Sequence, residues 1–385
     1  MDNKDWDVFI FAGESSADLH GARVLESLYK INPEAKVFGV GGPKMREQGM
    51  DCIKVMEDFQ VMGFIDVIAV LPKLMRLFYF IAKRILQVQP KVVLLIDYPG
   101  FNLKLASYLR KKKYNGKICQ YVSPTVWAWK KKRIDTMVEN LDILFSILPF
   151  EADFFSQVPL RVVYVGHPLV QKIDEEDKEA VIPELKNKRC ISLFPGSREK
   201  EIIRNFPIQL RVAKRLLHDY SDLIFAISVS HERFFDLLEN TVVEEVPLIY
   251  QKFTYVFPEK TYALMRSSTF AIAKSGTVTL ELALHGVYTI VTYALTFLDY
   301  WIGKYIFGIK LKFYCIVNII CGKEVFPEFI GPSCREDNLY RAAKAYLKDK
   351  TKEEQFAADY ELLKGILEYK KAGLEVALQI QQFLE

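Results

Sequence analysis

Two acidic residues stand directly after uninterrupted apolar runs, where a carboxylate is costly unless it is paired or used. Asp97 follows Val92–Ile96 and opens Asp97-Tyr98-Pro99-Gly100-Phe101-Asn102. It is a candidate general base, the group that takes the proton of an attacking hydroxyl; the alternative is a cap on a helix beginning near Pro99. Asn102 either orients a second substrate or bonds the backbone. Glu14 follows Val8–Ala12 within Gly13-Glu14-Ser15-Ser16-Ala17-Asp18. There Ser15 or Ser16 caps the next helix, or the polar groups aim into a cleft.

Two further loops have the composition of anion sites. Phe194-Pro195-Gly196-Ser197-Arg198 ends a strand and opens a helix. Gly196 and Ser197 allow close approach, the helix N-terminus offers partial positive charge, and Arg198 grips a diphosphate bidentately or makes a structural ion pair. Lys274-Ser275-Gly276-Thr277-Val278-Thr279-Leu280-Glu281 repeats the design. Ser275, Gly276 and Thr277 suit a phosphate, and Glu281, one turn deeper than Thr277, suits ribose hydroxyls. Together the two loops outline a nucleotide-diphosphate pocket.

A fifth loop, Ser123-Pro124-Thr125-Val126-Trp127-Ala128-Trp129, precedes Lys130-Lys131-Lys132-Arg133. Read as helical, it places Trp127 and Trp129 on different faces, one packed inward and one lining a cleft. The basic run is a solvated face or meets anionic head groups. No P-loop and no Gly-x-Ser-x-Gly elbow is present, and no Asp-x-Asp stands at a strand end. The expectation is therefore a reaction without metal or cofactor, in which Arg198 and helix dipoles neutralise a leaving diphosphate. No histidine sits in a ligand cluster, and His167 shapes the Gly166-His167-Pro168 turn.

The elements that must hold these loops alternate. Strand-like runs at 8–12, 37–40, 92–96, 118–122, 143–147 and 162–165 are separated by helical stretches, and the pattern restarts with runs at 190–194, 223–227, 269–273 and 289–291. Continuous Val/Ile/Leu runs between helices predict parallel sheets covered on both faces, the doubly wound α/β class. With 385 residues, two domains are expected, separated within 166–188, where the acidic Asp174-Glu175-Glu176-Asp177 reads as a solvated linker. The intended bounds are 1–168, 169–350 and a helical 351–385. Two such domains facing each other leave a cleft at the C-terminal strand ends. A net charge of +4 is too small for a nucleic-acid binder and suits phosphorylated or anionic lipid partners. The polar opening residues suggest no secretory signal, and six unpaired cysteines fit a reducing cytosol.

Residues 64–82 raise a membrane question. Asp66, Lys73 and Arg76 would each cost roughly 2.5–3.5 kcal/mol at mid-bilayer, and Pro72 interrupts the run. An amphipathic docking segment fits better, with Ile65, Val67, Ile68, Leu71, Leu74 and Met75 on its apolar side; a buried helix is the alternative. Residues 297–313, with Trp301, Tyr305 and Phe307 among Lys304, Lys310 and Lys312, pose the same choice.

In their order, these loops resemble the lipid-A-disaccharide synthases, inverting glycosyltransferases of the GT-B class. The resemblance is carried by Gly13-Glu14-Ser15-Ser16, Val61-Met62-Gly63, the loops at 97–102 and 121–129, Leu148-Pro149-Phe150-Glu151, Val165-Gly166-His167-Pro168, Pro195-Gly196-Ser197-Arg198 and Ser275-Gly276-Thr277. Ala17, Gly100 and Val317 depart from the family's usual residues. The resemblance implies transfer of 2,3-diacylglucosamine from UDP-2,3-diacylglucosamine to 2,3-diacylglucosamine 1-phosphate, forming a β-1,6 disaccharide and UDP. It implies Asp97 as base, Arg198 and Glu281 at the UDP, and Glu14 and Asn318 in the cleft, with Ser15, Asn102, Ser123 and Trp127 beside the acceptor. It also implies docking by residues 65–75 on the cytoplasmic side of the inner membrane. The last helices would cross between domains or swap in a homodimer. The competing expectations are another GT-B enzyme, either a lipid-linked GlcNAc transferase or a UDP-GlcNAc 2-epimerase, or a nucleotide-sugar sensor or lipid scaffold without turnover.

Overall fold

The computed structural model describes residues 6–59, 66–127, 133–176, 180–296 and 311–385, and for 66–70 the backbone alone. Ile65 and Trp129, the side chains of Val67 and Ile68, and most of the 297–313 segment lie outside the described residues. The chain divides into two compact units, Met1–Gln171 with Tyr369–Glu385, and Lys172–Glu368.

The first unit is a parallel sheet of seven strands: β1 (Val8–Ala12), β2 (Val37–Gly41), β3 (Asp51–Val55), β4 (Val92–Ile96), β5 (Lys117–Tyr121), β6 (Ile143–Ser146) and β7 (Arg161–Tyr164). Its order is β3-β2-β1-β4-β5-β6-β7. Strand β1 lies between β2 and β4, with Val8 level with both Val37 and Val92. Its side chains alternate between two cores: Val8, Ile10 and Ala12 enter one, Phe9 and Phe11 the other. All five are fully buried, which explains why the run shows no polar alternation.

Seven helices belong largely to this unit: α1 (Ser15–Ile31), α2 (Pro43–Glu47), α3 (Asp66–Val88), α4 (Pro99–Lys111), α5 (Arg133–Asn140), α6 (Phe150–Phe155) and α7 (Pro168–Glu175). Trp127 lies in a turn ahead of α5, so the helix expected over 123–129 is absent at that residue. The tight amide turn after β4, not a hydrogen-bonding side chain, sets the start of α4.

The second unit is a parallel sheet of β8 (Cys190–Phe194), β9 (Ile224–Ser228), β10 (Phe253–Val256), β11 (Phe270–Lys274), β12 (Thr289–Tyr293) and β13 (Glu328–Ile330), in the order β10-β9-β8-β11-β12-β13. Its helices include α8 (Glu199–Asp219), α9 (Phe235–Glu245), α10 (Thr261–Arg266), α11 (Thr277–Leu284), α12 (Ile316–Cys321), α13 (Glu336–Lys348) and α14 (Lys350–Leu367). The last helix, α15 (Ala372–Leu384), returns to the first unit and packs on α1. The block expected at 351–385 is therefore divided: α14 completes the second unit and α15 the first. A Cβ on Gly373 would come within 2.7 Å of the Arg23 backbone, so glycine permits the close approach of α15 to α1.

Candidate active site

Each sheet reverses direction beside its first strand. In the first unit β1 leads one way to β2 and β3, while β4 continues on its other side. Loops leaving such neighbouring strands diverge, and ligands of open parallel sheets bind in the crevice between them. Glu14 leaves β1 and Asp97 leaves β4, so the topology brings both acidic residues to one crevice.

Their side chains are hydrogen-bonded to each other. Burial first, then that bond and the like charge of Glu14, push the Asp97 carboxyl up to about 7, against a backbone N–H donated by Tyr98. Two carboxyls that meet share a proton, because both cannot ionise cheaply at that separation. Glu14 Oε1 also accepts from Ser16 Oγ at 2.9 Å. The N-cap of α1 is Glu14 itself, without a side-chain cap bond, so neither Ser15 nor Ser16 caps the helix. Ser15 is exposed at the start of α1.

The loops are strained. Asp97 and Tyr98 have φ of 49° and 43°, and Val122, after β5, has φ of 69°. Such left-handed backbone costs roughly 1–3 kcal/mol per non-glycine residue and persists only where surroundings enforce it. Here two fully buried amides do so. Asn102 Nδ2 donates to Asp97 O at 2.6 Å, and Gln120 Nε2 donates to Asp97 O at 2.9 Å and to Val122 O at 3.2 Å. Phe101 stacks on Phe11 beneath the turn, with ring centroids 4.7 Å apart. Asn102 is thus a positioning residue, fully buried and turned toward backbone, and the acceptor contact expected of it is corrected. Asp97 does not cap α4 either; Tyr98 occupies that position without a side-chain bond.

Ser123 and Trp127 converge on a carboxyl that the sequence motifs contained but left without a role. Trp127 Nε1 donates to Glu151 Oε1 at 3.1 Å, and Ser146 and Ser123 also hydrogen-bond Glu151. Burial pushes Glu151 up to about 7, although Ser146, Trp127, Ser123 and the Leu148 N–H all favour its charged form. The signal in the sequence was an acid just after β6, in Leu148-Pro149-Phe150-Glu151. Nearby, burial and then Arg23 lower His20 to about 4, while burial and then His20 lower His167 to about 4. Both stay neutral at pH 7, and His167 Nδ1 accepts from Leu169 N at 3.2 Å, which holds its turn.

In the second unit the reversal falls between β8 and β11, and their loops share a cavity of about 330 Å³. Gly196, Ser197, Gly276, Thr277 and Glu281 line it. Gly196 has φ of 132°, and a Cβ there would meet Glu201 at 2.7 Å. Glu201 folds back over the start of α8: its carboxylate accepts from Ser197 N at 3.2 Å, Arg198 at 3.1 Å and Lys274 Nζ at 2.9 Å. Burial raises its pKa, but Lys274, Ser197 N–H and Arg198 outweigh burial and hold it below the usual carboxylate range. The N-terminus of α8 is therefore already matched by an internal anion, whereas nothing stands within 4 Å of where a Gly276 Cβ would project at α11. The open anion position is at α11.

Arg198 is 81% exposed and tethered to Glu201, beside the cavity lining rather than within it. Glu281 accepts from Tyr262 at 2.9 Å and keeps its place in the wall. Two expected residues fall elsewhere. Ser275 turns toward Tyr314 O at 3.5 Å. Asn318 is fully buried, donates to Phe326 O and Glu328, and accepts from Val325 N and Phe326 N, so its amide has no capacity for a ligand. The sequence motifs did not assign Glu201 and Lys274, although Lys274 opens its loop and Glu201 lies three residues after Arg198. Among the described residues no group of three or more His, Cys, Asp or Glu side chains is gathered as a metal site.

On the membrane question, Leu71 and Met75 are 53% and 48% exposed on α3, with Tyr79 and Phe80 continuing the exposed surface, while Leu74 packs partly against the core. No helix among the described residues is long and apolar enough to cross a membrane.

Two parallel-sheet α/β domains of this order define the GT-B architecture. Solved structures agree in fold: a UDP-GlcNAc 2-epimerase from Neisseria meningitidis bound to UDP-GlcNAc has a TM-score of 0.63 at 10% identity, covering 98% of this chain and 100% of that one. The glycotransferase of kitacinnamycin also gives 0.63 at 10% identity, with 99% and 100% covered. The family model for lipid-A-disaccharide synthetase matches residues 8–376, and the chain belongs to that family. A lipid-A-disaccharide synthase of Chlamydia pneumoniae is 39% identical over 85% of this chain and 54% of its own length. The chain therefore spans about half the length of the chlamydial relatives it matches. One from Geobacter sulfurreducens is 32% identical over 94% of this chain and 93% of its own length.

Proposed function

We propose that this protein transfers 2,3-diacylglucosamine from UDP-2,3-diacylglucosamine to the 6-hydroxyl of 2,3-diacylglucosamine 1-phosphate, with inversion, forming the β-1,6 disaccharide 1-phosphate of lipid A and UDP. The observation that carries it is the Glu14–Asp97 pair on a strained turn at a sheet reversal. A base works best when its pKa lies near the working pH, and Asp97 lies there because of burial and Glu14. Ionised Asp97 takes the acceptor hydroxyl proton as that oxygen bonds to the anomeric carbon. The bond from that carbon to the diphosphate oxygen breaks, and its electron pair leaves with UDP. Burial and the like charge of Glu14 keep Asp97 protonated until pH approaches 7, and above that it is available as the base.

The second unit supplies the nucleotide site. The open N-terminus of α11 at Gly276 and Thr277 receives the diphosphate, Arg198 swings to it from its exposed position, and the free oxygen of Glu281 meets the ribose. The exposed Leu71 and Met75 dock the chain on the cytoplasmic face of a membrane, where both acyl-sugar substrates reside.

Incubation with both substrates, following UDP and disaccharide together, tests this reading. Stoichiometric formation of the two products supports it. UDP release without disaccharide, or epimerised UDP-GlcNAc on offering that substrate instead, would sink it.

A further inference from the structure

Helix α4 carries more than the Asp97 turn at its start. Lys104, Ser107, Tyr108 and Lys111 recur at helical spacing and share one face. That face and the first turn of α5 enclose a groove of about 460 Å³, to which Arg133 and Thr136 contribute from α5. Lys104 and Lys111 lie about 10 Å apart along the helix axis. No Asp or Glu lines the groove, and among the described residues none of the three cations has an ion-pair partner. By contrast Arg110, one residue before Lys111, is held by Asp142.

The groove continues into a second depression of about 440 Å³ that is largely apolar, walled by Leu71, Leu74, Met75, Phe78 and Phe101. The two share Phe78, Pro99, Gly100 and Lys104. Lys104 thus marks the seam between a cationic and an apolar trough, and both are lined by Pro99 and Gly100, which open α4 just after the Asp97 turn. A ligand matching this surface has a phosphate directly beside acyl chains and a hydroxyl at the Asp97 end. A free nucleotide lacks the chains, and a fatty acid lacks the sugar hydroxyl.

We propose that Lys104, Lys111 and Arg133 form the site for the phosphate monoester of the acyl-sugar acceptor, whose chains lie between α3 and α4. The proposal rests on the glycosyl-transfer reading for the identity of the acceptor, not for the existence of the site. Charge complementarity selects the phosphate, and continuity with the Asp97 turn selects the acceptor over a bulk phospholipid.

The test is direct binding, which requires no turnover. The probes are dihexanoyl glucosamine 1-phosphate and the same sugar without phosphate, offered to the full wild-type chain and to Lys111→Glu/Arg133→Glu. Wild type should prefer the phosphorylated probe by about tenfold or more, and the variant should bind both alike. Retained preference in the variant, or none in wild type, overturns the proposal. Lys111→Gln/Arg133→Gln, with melting followed in parallel, replaces the charge reversal if that variant unfolds. A flotation arm uses phosphatidylglycerol and phosphatidylcholine vesicles. Loss of phosphatidylglycerol binding with the probe preference intact identifies a membrane headgroup site and also overturns the proposal. If wild type binds the phosphorylated probe selectively yet forms no disaccharide, the transfer reading fails and the site stands.

Discussion

The two sheets reverse at equivalent places, beside β1 and beside β8, yet the loops there are electrostatic opposites. At β1 and β4 two carboxyls face each other on a backbone forced into left-handed conformations and held by buried Asn102 and Gln120. At β8 and β11 the half-buried carboxylate of Glu201 is balanced by Lys274 and Arg198, and glycine relieves the turn at Gly196. Strand order decides where a ligand meets an open parallel sheet; in the proposed reaction a handful of residues in these loops decides whether that place takes up a proton or accepts an anion. The loops after β4 and β5 carry left-handed backbone at Asp97, Tyr98 and Val122, whereas in the loop after β8 the positive φ falls on Gly196 and the charges are balanced.

The sharpest way to break this contrast is Asp97→Asn. Turnover should fall about 10²–10⁴-fold while UDP affinity, measured by calorimetry, stays at the wild-type value. An equal loss of UDP binding would show that the two loops are not separate in role. Arg198→Ala should do the reverse, weakening UDP about tenfold with a small effect on turnover at saturation.

The pH dependence sharpens it further. Because Asp97 acts ionised, kcat/KM for the acceptor should rise with pH and level off above about 7. Glu14→Gln removes the like charge, so the inflection should move to lower pH; an unmoved inflection would assign it to another group. Glu151 supplies a stability test. Its folded pKa of about 7 lies above the ordinary 4.5, so its protonated form contributes stability that is full below 4.5 and lost as pH rises through 7. Relative to wild type, Glu151→Gln should therefore gain roughly 3 kcal/mol between pH 4.5 and 8, read from denaturant melts. The smallest effect is expected of Leu71→Ser/Met75→Ser, which should reduce vesicle flotation and leave melting unchanged, since both side chains are exposed.

Much of this was legible because central strands are buried on both faces and read as apolar runs. The strands that escaped notice are β3, β10 and β13, each at a sheet edge. β3 is Asp-Cys-Ile-Lys-Val, exposed at both ends, and β13 has three half-buried residues; such composition protects an edge from further pairing and erases the apolar signal. Within the site, Asp97, Glu14 and the glycine-containing loops could be found because chemistry restricts residue type at strand ends. Gln120 could not, because it sits within a strand and its role depends on carbonyls at the ends of two strands, β4 and β5. Glu151 was hidden for a related reason: its partners Ser123 and Trp127 come from the loop after β5 and Ser146 from the end of β6. Asn102 stood out in its loop and Asn318 came only from the family resemblance, and a sequence does not reveal whether an amide faces a ligand or the backbone.

The return of α15 to the first unit has a consequence for how the protein is made. Val376, Ala377 and Ile380 close the core that Val24, Leu25 and Leu28 of α1 begin, so a surface on α1 waits for residues that follow it far along the chain, after the whole second unit. The second unit is contiguous and can fold while the first is still open on one side. During that interval an apolar stripe on α1 is accessible to chaperones and to other nascent chains, and folding should be limited by this long-range closure rather than by either sheet.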